Sequence, residues 1–349
     1  MRAHVDATPL LGARTGVGEF CAGLLAALER RADVDVRRYS VSWKGGTVRL
    51  PARALHELWR RVDWPPVVRA ARGDIVHGTN FVVPPCRGAR LVTVHDLTAV
   101  RFPTLVTAAT RAYPDLIRRA VRAGAWVHTP SAFIAGEVVE VFGADPSRVR
   151  AIHHGLAPVP PPTGRLYDFP YVLALGTIEP RKDLPSLVRA FDLVAASDPD
   201  LRLVVAGPDG WGVAAFDEAV AAASHRGRVV RLGWVGEPDR AALLAGARVF
   251  AYPSLYEGFG LPPLEAMAAG VPVVATSAGS LPEVVGDAAV LVPPGDVDEL
   301  AAALGRVLTD DGLRAALAER GRARAGARSW DDAAADMAAL YRDVVACAS

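Results

Sequence analysis

Short apolar and β-branched runs alternate with Ala-, Leu- and Arg-rich stretches of helical period along the whole chain, and that alternation leaves few folds open. The runs at 2–6, 34–39, 74–77, 90–94, 125–129 and 148–152 read as strands, as do those at 171–175, 201–206, 228–232, 248–252, 272–275 and 289–292. Helical stretches lie between them, among them 19–31, 111–123, 131–142, 184–196, 213–225 and 297–308. Strands that are apolar along their whole length belong to parallel sheets covered by helices on both faces. The pattern runs once, stops at APVPPPTG (157–164), and runs again. Consecutive prolines continue neither a helix nor a central strand, so this segment reads as a semi-rigid linker. The expected architecture is α/β: two doubly wound parallel-sheet domains, 1–157 and 167–329, joined by a linker over 158–166. A terminal helix over 330–349, with Ser329 as its N-cap before WDDAAADMAAL, is expected to pack back toward the first domain. Ligands of such sheets sit beyond the carboxyl ends of the strands, so a cleft lined by loops of both domains is the expected binding place.

The length of 349 residues suits two domains. With 51% hydrophobic and 22% charged residues the chain is neither disordered nor fibrous. No stretch approaches the length of a membrane span, and the start, MRAHVDATPLLGARTG, lacks the charged region and apolar core of a signal peptide. Cys21, Cys86 and Cys347 are odd in number and widely spaced, which gives neither a disulfide framework nor a zinc motif and points to a cytoplasmic protein. A net charge of +1 suggests no nucleic-acid partner, yet it conceals an asymmetry. Residues 1–165 hold 23 basic against 13 acidic side chains, and the remainder holds 16 against 25. Two modules of opposite sign suggest different partners. Nearly all the positive charge is arginine; the only lysines are Lys44 and Lys182.

The most informative segment is 252–267, YPSLYEGFGLPPLEAM. It runs from a strand end through a glycine-bracketed loop into a helix that opens at prolines, where a missing N–H costs nothing. Glu257 and Glu265 are separated by seven residues, one in the loop and one on the helix, so both can address one ligand. The helix N-terminus adds unpaired N–H groups suited to phosphate. Either glutamate alone is most simply a turn or solvated helix residue; the segment as a whole is not.

The segment resembles the E-x7-E signature of retaining glycosyltransferases of family 4, whose GT-B fold has two facing Rossmann-like domains. VLALGTIEPRKDL (172–184) resembles the family's first strand and loop in the donor domain, and LVVAGP (203–208), VPVVA (271–275) and GSLPEVV (279–285) follow in the family's order. In the first half GVGEF (16–20), TVHDL (93–97) and TPSAF (129–133) match the glycine loop, a histidine-containing strand end and a helix start.

The resemblance implies roles for particular residues. Arg181 and Lys182 would meet the charge that builds on a departing diphosphate, Arg as a bidentate fork and Lys as a point charge. Thr177 stands where many members carry an arginine, and the EPRKD form implies that Arg181 replaces it. Glu265 would accept hydrogen bonds from ribose hydroxyls and Glu257 would lie near the sugar, with Gly258, Phe259, Gly260 and Leu261 supplying loop N–H groups. His95 would face the sugar from the other domain and stabilise an oxocarbenium ion. Gly16 and Gly18 would allow close backbone approach, and Trp234 and Val235 would belong to the loop that selects the base. The Asp33/Asp35, Asp198/Asp200 and Asp296/Asp298 pairs read as turn and cap residues rather than metal ligands.

The implied activity is metal-independent, retaining transfer of a hexose from a nucleotide diphosphate sugar to a hydroxyl of a glycan or lipid-linked acceptor, with no further cofactor. The motif style resembles bacterial polysaccharide mannosyltransferases, which favours mannose from GDP-mannose. The basic first half would take the acceptor or touch an anionic membrane surface, for which Arg111, Arg118, Arg119 and Arg122 around Tyr113, Leu116 and Ile117 form an amphipathic pattern. A solvated helix face explains that pattern equally well. A nucleotide-sugar 2-epimerase, a sugar phosphorylase, and a non-catalytic sugar-nucleotide-binding partner protein are the alternative readings.

Overall fold

The computed structural model describes residues 1–12, 16–158 and 164–348. The central prolines of the expected linker, within 159–163, lie outside the described residues. The chain forms two compact units, Met1–Ala157 with Arg328–Ser349, and Pro158–Ala327.

In the first unit, β1 (Arg2–Asp6), β2 (Asp35–Tyr39), β3 (Ile75–Gly78), β4 (Ala89–Thr93), β5 (Trp126–Thr129) and β6 (Val149–Ala151) form a parallel sheet in the order β2-β1-β3-β4-β5-β6. Its helices are α1 (Gly16–Glu29), α2 (Ala52–Trp59), α3 (Thr98–Arg101), α4 (Tyr113–Arg122), α5 (Ala132–Phe142) and, from the far end of the chain, α13 (Trp330–Ala348). In the second unit, β7 (Tyr171–Leu175), β8 (Arg202–Ala206), β9 (Val229–Gly233), β10 (Val249–Tyr252), β11 (Val273–Thr276) and β12 (Ala289–Val292) run in the order β12-β11-β10-β7-β8-β9, again all parallel. They are covered by α6 (Leu184–Ala195), α7 (Val213–Ala222), α8 (Glu237–Gly246), α9 (Leu261–Ala268), α10 (Leu281–Val285), α11 (Val297–Thr309) and α12 (Asp311–Gly326). Every strand expected from the sequence is present, displaced by no more than one residue at either end. Helix α1 begins earlier than expected, so Gly16 and Gly18 lie in its first turn rather than in a loop before it.

Strand order decides where a ligand can sit. Connections wind to opposite sides of the sheet at one point, and a crevice opens there beyond the carboxyl ends of the strands. That point falls between β1 and β3 in the first unit and between β7 and β10 in the second.

Helix α13 completes the first unit's core, where Met337, Leu340 and Val344 join Val5, Leu24, Leu28, Ile75 and Leu91. Ser329 caps it: its Oγ accepts from Asp332 N–H at 3.2 Å, and Asp332 takes the Ser329 N–H at 2.9 Å, a reciprocal box. A buried polar chain ties the same helix to the sheet. Tyr341 Oη lies 2.7 Å from His77 Nδ1, His77 Nε2 lies 2.7 Å from Thr93 Oγ1, Thr93 Oγ1 lies 2.9 Å from His128 Nδ1, and His128 Nε2 lies 3.2 Å from the Ile152 carbonyl. A carbonyl only accepts, so His128 donates through Nε2 and accepts through Nδ1. Thr93 must then donate to His128 and accept from His77, and His77 accepts from Tyr341. One direction of donation, with both imidazoles neutral, satisfies every member.

Two of the α4 arginines, Arg118 and Arg119, are taken up by local partners, while Arg122 and the preceding Arg111 are exposed. The side chain of Arg119 is only 9% exposed; it binds Asp63 at 2.7 Å and the Val83 carbonyl, and Arg118 is tied to Asp115 and lies over the Phe142 ring. Among the described residues no helix is long and apolar enough to cross a membrane.

Burial drives the pKa of His77 and His154 well below the ordinary histidine value, lowers that of His95, and brings His128 to about 3. The unfolded chain therefore binds more protons than the folded one between the folded and unfolded values. This contribution to stability is complete above the unfolded value, near 6.5, and is lost as pH falls below it. His128 alone corresponds to about 2 kcal/mol at pH 5. Urea unfolding of the intact chain should show a lower midpoint at pH 5 than at pH 8, with the loss reduced in His128→Asn. Equal midpoints at the two pH values would mean that the imidazoles are not held neutral.

Candidate active site

In the second unit the chain leaves β7 through Gly176, whose φ is 141°. Gly207, leaving β8, packs so closely that a Cβ there would sit 1.9 Å from the Gly176 carbonyl oxygen. Gly176 N–H bonds the Ala206 carbonyl at 3.0 Å, and the two strand ends stay joined through Ile178 N–H to Pro208 O, also 3.0 Å. Beyond them Pro180–Lys182 makes one 3₁₀ turn, and Asp183 in a left-handed conformation (φ 46°) starts α6. This turn presents Arg181 and Lys182 at the crevice between β7 and β10.

The other wall is the segment after β10. Glu257 is buried, and its Oε1 lies 2.7 Å from Lys182 Nζ and 2.8 Å from Arg181 Nη1. Lys182 Nζ also donates to Tyr252 Oη at 2.5 Å and sits 4.4 Å from the centre of that ring, a cation–π contact. Arg181 additionally donates to the Tyr256 carbonyl at 3.0 Å and to Glu179 at 2.6 Å. Burial alone would raise the Glu257 pKa, but Arg181 and Lys182 outweigh it and bring it to about 2, so the carboxylate is ionised at neutral pH. Burial lowers the pKa of Lys182, and the Glu257 charge opposes that shift. A space of about 10 Å³, bounded by Gly176, Thr177, Lys182, Tyr252, Pro253 and Ser254, lies beside this cluster.

The loop after β11 braces Glu257 from behind. Ser280 donates to the Glu257 carbonyl from its N–H at 3.0 Å and from its hydroxyl at 3.1 Å, and also reaches the Phe259 carbonyl at 3.0 Å. Gly279, at φ 60°, lies so near that a Cβ would stand 2.3 Å from the Glu257 carbonyl oxygen. Gly258 and Phe259 are buried, and Gly260, at φ 114°, turns the chain into α9 at Leu261.

Arg181, Lys182 and Glu257 are thus brought together. Glu265 is not part of that hydrogen-bonded group: on α9 it binds Arg240 of α8, a partner that the sequence pattern alone does not single out. Tyr252, Gly279 and Ser280 also have roles that the sequence pattern does not single out, although all three stand in segments that resemble the family. Trp234, 70% exposed, and Val235 follow β9, at the edge of the sheet. His95, Gly16 and Gly18 belong to the first unit. His95 Nε2 must donate to the Thr79 carbonyl at 2.8 Å, which leaves Nδ1 as the ring's acceptor, and its ring meets the edges of Phe20 and Phe81. The acidic pairs serve locally: Asp296 caps α11 through Glu299 N–H, Asp198 accepts from Asp200 N–H, and Asp33 and Asp35 bind arginines.

Residues 162–324 match the family model for glycosyl transferases group 1. The O-antigen chain mannosyltransferase B of Escherichia coli is 33% identical over 304 residues, 83% of this chain and 78% of that protein. The chain belongs to the glycosyl transferases group 1 family. It is a glycosyltransferase with mannosyltransferase relatives, and its two parallel-sheet units are those of the GT-B fold. Among solved structures, sucrose-phosphate synthase from Thermosynechococcus elongatus aligns with a TM-score of 0.76 at 20% identity over 99% of each chain. Anabaena HepE in complex with UDP-glucose aligns at 0.75 and 18% identity over 98% of this chain and all of that one. At such identities these likenesses speak for the fold alone.

Gly279→Ala tests the brace. The added Cβ meets backbone rather than a flexible side chain, so the Glu257 loop must move, and displacements near 1 Å cost about a hundredfold in rate. Transfer by the variant should fall by that order while its circular dichroism stays native. Wild-type turnover in Gly279→Ala would show that the Glu257 loop position does not matter to the reaction.

Proposed function

We propose that this glycosyltransferase moves a hexose, mannose from GDP-mannose in the reading its relatives favour, onto an acceptor hydroxyl with retention at the anomeric carbon. The observation that carries the proposal is the group of the buried Glu257 with the partly buried Arg181 and Lys182 at the crevice between β7 and β10. Breaking the bond between the sugar and the diphosphate puts negative charge on the leaving oxygen. Two cations already held in place lower the energy of that charge without reorganisation, the part a divalent cation plays in other sites. Glu257 holds both cations and, being ionised, accepts hydrogen bonds from sugar hydroxyls rather than giving a proton. The acceptor oxygen attacks from the face the diphosphate leaves; the new C–O bond forms as the old one breaks, and the acceptor's proton passes to a diphosphate oxygen. Glu265, fixed by Arg240, accepts from the ribose hydroxyls, the loop of Trp234 and Val235 meets the base, and the N–H groups around Gly258, Phe259, Gly260 and Leu261 meet sugar or phosphate. A neutral His95 offers Nδ1 to a hydroxyl, and Gly16 and Gly18 let the start of α1 come close to the substrate. The first unit takes a glycan or lipid-linked acceptor, its basic surface set against an anionic membrane. The Escherichia coli relative supports mannose, and the Anabaena structural neighbour shows a protein of the same fold holding a nucleotide sugar.

The purified chain should melt at a higher temperature with one nucleotide family among GDP, UDP and ADP, and should do so equally in EDTA. Lys182→Ala should lose about a hundredfold or more in kcat/KM. Glu265→Ala should raise the donor KM by about tenfold with a smaller change in kcat. Wild-type turnover in Lys182→Ala, or a thermal shift that appears only with magnesium, would sink the cationic mechanism.

A further inference from the structure

The crevice of the first unit, between β1 and β3, holds a group of side chains that no step above explains. Asp6 ends β1 and is 8% exposed. Its Oδ1 takes both the N–H and the hydroxyl of Thr8, at 2.8 and 2.5 Å, and no protein donor reaches Oδ2 among the described residues. Across the crevice, just past β3, the Asn80 Oδ1 is buried without a hydrogen-bond partner. The two strand ends are locked together by Thr79 Oγ1 donating to the Asp6 carbonyl at 2.9 Å.

Phe81 follows with φ 60°, a left-handed conformation that is unfavourable for a bulky residue and persists only where its surroundings enforce it. The Phe81 N–H is held by the Thr93 carbonyl at 2.9 Å. Its ring stacks on Tyr113 at 4.8 Å and 21°, and stands edge-on to His95 at 5.6 Å. Burial, and after it the Asp6 charge, raise the Tyr113 phenol pKa, which places that hydroxyl within the carboxylate's field.

Two oxygen acceptors without donors among the described residues ask for O–H groups and repel phosphate, while the half-buried Tyr113 on its Phe81 support offers an aromatic surface to an apolar C–H face. A pyranose ring has both. We propose that Asp6, Asn80, Phe81 and Tyr113 form a subsite for the acceptor's terminal pyranose, next to His95. The proposal rests on the transferase reading only in naming that sugar the acceptor; the subsite's chemistry is argued from the first unit alone.

The test uses the full chain with methyl α-D-mannopyranoside and saturation-transfer NMR, irradiating aromatic protons. The glycoside should receive saturation from the wild type, and its affinity should fall about tenfold in Asp6→Asn and in Asn80→Ala. Asp6→Asn keeps an oxygen for Thr8, and Asn80→Ala removes no protein hydrogen bond, so a native Tm is expected in both; if the first lowers it, the second carries the test. The nucleotide thermal shift should be unchanged in both variants. Undiminished saturation transfer in both, or none in wild type while the nucleotide shift persists, overturns the subsite without touching the donor reading. A pyranose here could also be the donor's own hexose. In that case both variants would bind nucleotide sugar more weakly and bare nucleotide normally, and the acceptor assignment falls.

Discussion

Everything functional in this chain follows from its strands running one way. In a parallel sheet the carboxyl ends of all strands lie at one edge, and every crossover delivers its loop to that edge. Where the winding reverses, adjacent loops part and leave a crevice that no side chain of the sheet fills. The second unit puts Lys182 and Glu257 on the two sides of that crevice, and the first unit puts Asp6 and Asn80 on the two sides of its own. Neither pair is close in sequence; the topology makes them neighbours.

What the two units place there differs in sign and purpose. Lys182 and Glu257 are both withdrawn from water, and the desolvation of two ions is repaid only when each is held by further partners. Tyr252, through its hydroxyl and ring face, serves Lys182; Arg181 and the Ser280-braced loop serve Glu257. Such an arrangement is a poor way to stabilise a fold and a good way to keep charges fixed. A lysine is the fitting cation for the inner position, because a compact ammonium can lie over the Tyr252 ring and reach the carboxylate at once, which the planar guanidinium fork does less well. This accounts for one of the two lysines in a chain that elsewhere uses arginine.

The fold was legible because central parallel strands are apolar from end to end, so VLAL, LVVA and VVA could be read without knowing their neighbours. Arg181, Lys182 and Glu257 were legible because one loop motif and a family pattern hold them. What sequence could not show depends on pairs far apart along the chain. The hydrogen bond between His77 and Tyr341 spans 264 residues, and no local pattern marks either as its partner. Arg119 read as part of an exposed amphipathic face because its spacing suited one; Asp63, 56 residues earlier, and the Val83 carbonyl draw it inward. Arg240 and Glu265 lie on separate helices, so the family signature that names the glutamate says nothing of its cation.

Backbone strain marks the same two places independently. Among the described residues, Phe81 and Asp183 are the non-glycine residues with left-handed φ. Asp183 directly follows Lys182 and converts the 3₁₀ turn into α6, which fixes the direction from which the two cations enter the crevice. Aspartate tolerates that conformation better than most residues, so this site asks for little. Phe81 has no such excuse: an aromatic side chain in the left-handed region is disfavoured, and other residues would turn the chain there at less cost. Its ring stands between Tyr113 and His95, and a relaxed backbone would aim it elsewhere. A conformation maintained against its own preference, at the edge where the topology opens a crevice, is what a surface shaped for a ligand requires.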